Sequence, residues 1–117
     1  MYIVEDEWRH TFMKLDDARK FAMDSLNQEF KQPSVIGPAG SSAHTVLLIT
    51  RHNFSKNTDE KVGTVTWKIC GRYPSKRGPR RGNAKWGLYW HSIINGKDYP
   101  LNKDGSLARS WSAFYKG

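Results

Sequence analysis

Residues 71–85, GRYPSKRGPRRGNAK, are strongly basic and carry no acidic side chain. The six basic residues are Arg72, Lys76, Arg77, Arg80, Arg81 and Lys85. Arginine and lysine form charge-assisted hydrogen bonds with phosphate oxygens, and glycine lets a backbone approach a ligand closely. The composition therefore predicts contact with the phosphates of a polyanion. The alternative is a solvated loop without a binding function, whose charge only keeps the protein soluble.

Aromatic residues near this stretch suggest a second kind of contact. Tyr73 lies within it and Tyr89 follows it, and both are candidates to stack on nucleic-acid bases or arginine planes. Lys97 comes after the next turn and is expected to extend the same positive surface. Residues 63–69 and 86–94 alternate between apolar and polar side chains. Trp67 and Trp90 fall on the apolar side of these segments, so we assign both to the core.

Catalytic chemistry has weak support in this sequence. Cys70 is the only cysteine, which excludes an intramolecular disulfide, and nothing in the sequence marks it as a nucleophile. No histidine pair has metal-ligand spacing. A metallonuclease site, with a metal ion held by His52, Asn53 and an acid such as Asp59, is an alternative, and so is a magnesium ion at the acidic run 5–7. We expect a binding protein and not an enzyme, with no metal and no cofactor.

The charge is divided unevenly along the 117 residues. Residues 1–60 carry a net charge of −2 and residues 61–117 carry +10, for a total of +8. This asymmetry points to nucleic acid, an acidic protein surface or an anionic membrane as the partner. No apolar run is long enough to cross a bilayer, and the start of the chain does not resemble a signal peptide. We therefore expect no membrane partner and a cytoplasmic, reducing location.

Two alternating segments flank the basic stretch and are expected to position it. Residues 63–69 alternate between apolar and polar side chains, and residues 86–94 do the same, as half-buried strands do. In the second segment, Ile94 falls on the inward face. Glycines and prolines interrupt regular structure between these segments. The pattern predicts a β-hairpin with a basic loop at 71–85.

The remaining elements complete the predicted fold. Residues 2–14 hold one or two strands, and a helix runs from an N-cap at Asp16 or Asp17 to about residue 31, with Arg19 facing water. Residues 45–50 form a central strand buried on both faces, residues 52–61 form a turn, and Asn95-Gly96 form a type I′ turn. For residues 106–115, we prefer a short helix over an irregular segment.

These elements predict a single α+β domain over residues 1–117. It contains an antiparallel sheet of about five strands, one main helix on one face and a short C-terminal helix. The expected function is a nucleic-acid-binding module with low sequence specificity, contacting DNA or RNA through phosphates. The alternative is an interaction or inhibitor protein of the mobile-element type. Such a protein would dock its basic arm on an acidic protein or a nucleoprotein enzyme.

Overall fold

In the computed structural model, six strands form one antiparallel sheet with a helix on one face. The structure describes residues 1–6, 8–28, 46–78, 82 and 84–115. The strands are β1 Tyr2–Glu5, β2 Arg9–Phe12, β3 Val46–Asn53, β4 Thr58–Arg72, β5 Ala84–Ser92 and β6 Asp98–Pro100. The helices are α1 Leu15–Gln28 and α2 Ser112–Tyr115. The α+β class is confirmed, with six strands where about five were predicted.

The spatial order of the strands is β2-β1-β3-β4-β5-β6. A hydrophobic core lies between α1 and the face of the sheet that it covers, which we call the core face; the opposite face is the outer face. Ala18, Ala22 and Leu26 recur every four residues and are fully buried against the sheet. Trp67 and Trp90 belong to the same buried cluster, which confirms their assignment to the core.

Helix α1 starts at Leu15, so Asp16 and Asp17 lie in its first turn and not at the predicted N-cap position. Their carboxylates still suit the positive end of the helix dipole. The predicted end of the helix near residue 31 lies outside the described residues. Within the described ranges, neither helix has the length and apolar character that a bilayer crossing needs.

The assignment of Arg19 to water is wrong, because this residue is only 5% exposed. Its guanidinium lies 4.9 Å from the centre of the Trp90 ring, and Nη1 donates a hydrogen bond to the carbonyl oxygen of Gly105 at 3.2 Å. Asp16 lies 3.4 Å from the same nitrogen. Arg19 faces the core because the segment after β6 folds back over the first turns of α1.

Strand β3 is central, as predicted, but it is not buried on both faces. Leu47 and Ile49 are buried on the core face, whereas Val46 and Leu48 are exposed on the outer face. The predicted turn at 52–61 shrinks to residues 54–57, because Asn57 adopts a positive φ of 51° that closes a tight turn. The strands then pair from Asn53 and Thr58 onward.

The predicted type I′ turn at Asn95-Gly96 is also wrong. Only Gly96 takes a positive φ, 72°, whereas type I′ needs positive φ at both central residues. The loop is longer, since the amide of Gly96 donates to the carbonyl of Ser92 and the amide of Ser92 donates to the carbonyl of Lys97. Ile94 therefore lies in the loop and is exposed, not on the inward face of the strand.

The predicted C-terminal helix is shorter than residues 106–115. Only Ser112–Tyr115 are helical. Residues 101–107 instead form a tight loop, in which Leu101 and Leu107 form an isolated bridge and Gly105 adopts a φ of 87°. A side chain at Gly105 would collide with the backbone of Asp16 and Lys20, so the loop fits closely against α1.

Candidate nucleic-acid interface

The basic stretch sits on a two-stranded extension of the sheet. Strand β4 pairs with β3 up to Thr66 and with β5 up to Arg72, whereas the described part of β3 begins at Val46. We call the β4–β5 hairpin beyond Thr66 the arm; its described residues are 67–78, 82 and 84–88. The pairing of β4 with β5 includes Gly71, Arg72, Ala84 and Lys85. The loop between the strands is therefore residues 73–83 and not the predicted 71–85.

A four-residue turn lies in the described part of the tip. The amide of Gly78 donates to the carbonyl oxygen of Ser75 at 3.1 Å, and the Ser75 hydroxyl accepts from the amide of Arg77. Gly78 takes a φ of 129°, which favours glycine. Lys76 and Arg77 occupy the two central positions of the turn, and both are exposed. The turn therefore presents two adjacent cations to solvent.

The two sides of the loop meet below this turn. A Cβ atom at Gly82 would collide with the backbone of Tyr73. The two sides of the loop therefore cross at a point where only glycine fits. The Arg72 guanidinium donates to the carbonyl oxygen of Gly82 at 3.3 Å. The basic loop is thus closed at its neck by backbone contact, and Arg72 contributes to that closure.

Cations and aromatic rings alternate along the outer face of the arm. Lys85 lies with its ammonium 5.6 Å from the centre of the Tyr73 ring. Further down, the Lys68 ammonium lies 4.7 Å from the Trp111 ring centre and 5.7 Å from that of Tyr89. Neither Lys68 nor Trp111 was among the predicted site residues. The alternation of the strand places Lys68 on the polar, outward side, so the sequence could have indicated this residue. Only the fold brings Trp111 next to it.

Helix α2 completes this outer surface. Phe114 packs over Gly87, where a Cβ atom would lie 2.7 Å from its ring. Trp111, Phe114 and Tyr115 contact one another with ring centres 5.1 to 5.9 Å apart. None of the helical residues is buried. The result is a group of aromatic rings that remains partly or fully open to solvent beside a lysine.

The predicted site residues do not all lie together. Arg72, Tyr73, Lys76, Arg77 and Lys85 cluster at the tip of the arm. Tyr89 lies four residues from Lys85 along β5, about 13 Å at the usual strand rise. Lys97 follows the opposite end of β5, more than about 20 Å from the tip by the same measure. Arg80 and Arg81 lie outside the described residues.

The environment of Tyr89 favours its neutral phenol. Partial burial raises the pKa of Tyr89, Asp98 adds to the rise, and Lys68 opposes it. Asp98 pairs with His91 at 2.6 Å in the part of the sheet next to the arm. Tyr89 therefore stays protonated around neutral pH and sits where the cationic arm meets the rest of the sheet.

His52 and Asp59, considered above as metal ligands, belong to an ion-pair network. His52 Nδ1 lies 2.7 Å from Asp59 Oδ1, and Arg9 Nη2 lies 3.3 Å from Asp59 Oδ2. The His52 contact, helped by Arg9, lowers the pKa of Asp59. Among the described residues, no group of three histidine, cysteine or acidic side chains lies close enough to hold a metal ion. Cys70 is buried, next to a bulge in β4.

Comparison with family models, with curated proteins and with solved structures found no match to this chain.

Proposed function

We propose that the protein is a nucleic-acid-binding module that contacts phosphates through the tip of the arm. The observation that carries the proposal is the charge of the arm. Its described residues include five cations and no carboxylate: Lys68, Arg72, Lys76, Arg77 and Lys85. Phosphate contacts supply most of the affinity of such modules, and a fixed cluster of cations on a projecting arm suits them.

The shape of the arm supports the same function. A two-stranded ribbon is narrow enough to enter the major groove of duplex DNA or to follow a single strand. Helix α1 is a poor alternative contact, since its apolar side is buried and its exposed side carries Asp16, Asp17 and Asp24. Three of the cations at the tip, Arg72, Lys76 and Arg77, are exposed, and phosphate contacts carry no sequence information directly. We therefore propose low sequence specificity and no catalytic role.

The alternative is an interaction or inhibitor protein that docks the same arm on an acidic protein or a nucleoprotein enzyme. Charge alone suits both partners, because carboxylates and phosphates each accept from arginine and lysine. The phosphate proposal takes precedence because the aromatic rings beside Lys68 and Lys85 match the stacking surfaces that nucleic acids use.

The test is a salt titration of binding to duplex DNA, structured RNA and single strands, starting near 50 mM salt. If the four cations at the tip neutralise four duplex phosphates, log K against log salt should have a slope of about −3.6. The sequence also predicts phosphate contacts by Arg80 and Arg81, and these two contacts would bring the slope to about −5. Absence of binding to all three ligands near 50 mM salt would transfer the proposal to the acidic protein partner.

A further inference from the structure

The outer face of the arm carries two groups in which an ammonium lies beside aromatic rings. At the tip, Lys85 lies over Tyr73, which is 55% exposed. At the base, Lys68 lies between Tyr89 and Trp111, and Tyr115 is 49% exposed next to Trp111. The bulge in this ladder lies on β4, so β5 itself alternates regularly and puts Lys85, Gly87 and Tyr89 on the same face. The two groups therefore lie along one continuous surface.

Packing of the C-terminal segment on the sheet accounts for only part of this arrangement. Phe114 covers Gly87, and the Trp111 ring lies 6.2 Å from that of Tyr89. Tyr115 lies outside that contact, with its ring against Trp111 and Phe114 at 5.9 and 5.4 Å. Burial of an aromatic ring is a major source of stability, and α2 has no buried residue. Exposed rings with cations beside them are instead typical of surfaces that stack bases.

We propose that this outer face binds single-stranded nucleic acid, with bases stacked on Tyr73 and on the Trp111–Tyr115 pair and phosphates at Lys85 and Lys68. The inference rests on the proposed function and names its ligand class. Bases of a duplex are already stacked on each other, so exposed rings gain little from them. Unpaired bases offer both faces to a ring, while the neighbouring ammonium neutralises the phosphate.

The experiment compares three ligands of about 12 nucleotides at one salt concentration: single-stranded oligothymidine, a base-free deoxyribose-phosphate chain and a duplex. The base-free chain keeps the phosphates and removes the stacking partners. We expect oligothymidine to bind at least fivefold more tightly than the base-free chain, since stacking of one base corresponds to about that factor or more. We also expect oligothymidine to bind more tightly than the duplex.

Variants assign the effect to the rings. Tyr115→Ala and Tyr73→Ala should each weaken oligothymidine binding by about fivefold or more and leave base-free binding unchanged. Tyr115→Phe keeps the ring and should bind like the original protein. Trp8→Ala is the matched control, because Trp8 is 73% exposed in the turn between β1 and β2, and strand β3 separates these strands from β4. Circular dichroism and thermal melts establish that each variant is folded.

The possible results separate the two proposals. Equal binding of oligothymidine and the base-free chain would overturn base stacking and leave phosphate contact standing. Tighter binding of the duplex would overturn the single-strand assignment in favour of groove entry. Unchanged oligothymidine affinity in the folded Tyr115→Ala and Tyr73→Ala variants would remove these rings from the site. Failure of all three ligands to bind would overturn the single-strand assignment, and the proposed function would then stand or fall with structured RNA in the salt titration.

Discussion

The backbone of Tyr73 occupies the space that a side chain at Gly82 would need. This crossing joins the two sides of the basic loop directly above the last paired residues, Arg72 and Ala84. Because the atoms in the way belong to the backbone, they cannot be moved aside as a flexible side chain can. The position of the cationic tip relative to the paired strands of the arm therefore depends on one glycine.

Gly82→Ala should displace the tip without unfolding the sheet. We expect altered amide chemical shifts and faster amide exchange for residues 72, 73 and 75–78, with residues 46–53 unchanged, because the collision involves only the neck of the loop. Gly71→Ala is the control, since a Cβ atom at Gly71 meets no atom within 4 Å. Identical spectra for the Gly82 variant and the original protein would disprove the crossing.

The double variant Lys76→Ala/Arg77→Ala should separate binding from folding. Both side chains are exposed in a turn held by backbone and Ser75 contacts, so stability should change by no more than about 0.5 kcal/mol. The magnitude of the salt slope should fall by about 1.8, at 0.9 for each lost duplex phosphate contact. Isothermal titration or fluorescence anisotropy at several salt concentrations measures it.

The control for this variant is Lys14→Ala/Lys56→Ala, which removes the same charge from two exposed positions away from the arm. Its salt slope should equal that of the original protein. Equal reductions in both double variants would mean that net charge, and not the tip of the arm, governs binding.

Trp90→Ala should lower the free energy of unfolding by about 3 to 5 kcal/mol, because the ring is 3% exposed in the core cluster. Chemical denaturation measures the loss. Trp8→Ala removes the same side chain from an exposed turn and should cost no more than about 0.5 kcal/mol. Similar losses in the two variants would contradict the placement of Trp90 between α1 and the sheet.

Arg19→Ala should cost about 2 to 4 kcal/mol, since it removes a buried side chain that packs on Trp90. Arg19→Met should cost less, because methionine fills much of the same space and brings no charge into the core. Denaturation curves of both variants test this. If the methionine variant were as unstable as the alanine variant, the hydrogen bond to Gly105, and not packing, would dominate.

The contribution of the Arg9–Asp59–His52 network to the stability of the fold should depend on pH. The pKa of Asp59 is lowered in the folded protein, chiefly by the contact with His52, so its ionised form stabilises the fold. This contribution is present above the unfolded value of 3.8 and is lost as the pH falls through the lower folded value. Asp59→Asn should therefore be less stable than the original protein at pH 7.

The difference between the two proteins should shrink as the pH falls below the ordinary aspartate range. Urea denaturation at a series of pH values measures it. A difference that stays constant down to the lowest pH would mean that Asp59 stabilises the fold through something other than its charge.

Periodicity and composition determined the secondary structure near the basic stretch. The alternation in residues 63–69 and 86–94 predicted strands, and these residues fall largely within β4 and β5. The inward phases of Trp67 and Trp90 were sufficient to predict the core, because alternate residues of a strand face opposite sides. The Gly and Pro content of the basic stretch likewise predicted a break in regular pairing.

Only the tertiary structure decided how distant segments meet. Arg19 has the sequence position of a solvent-facing helical residue, and it is buried because the loop at Gly105 folds over α1. Lys68 and Trp111 are 43 positions apart, and no local pattern predicts that they meet. Local sequence fixes periodicity, whereas long-range packing decides which side chains share a surface. The cation–aromatic surface of the arm is therefore a property of the fold.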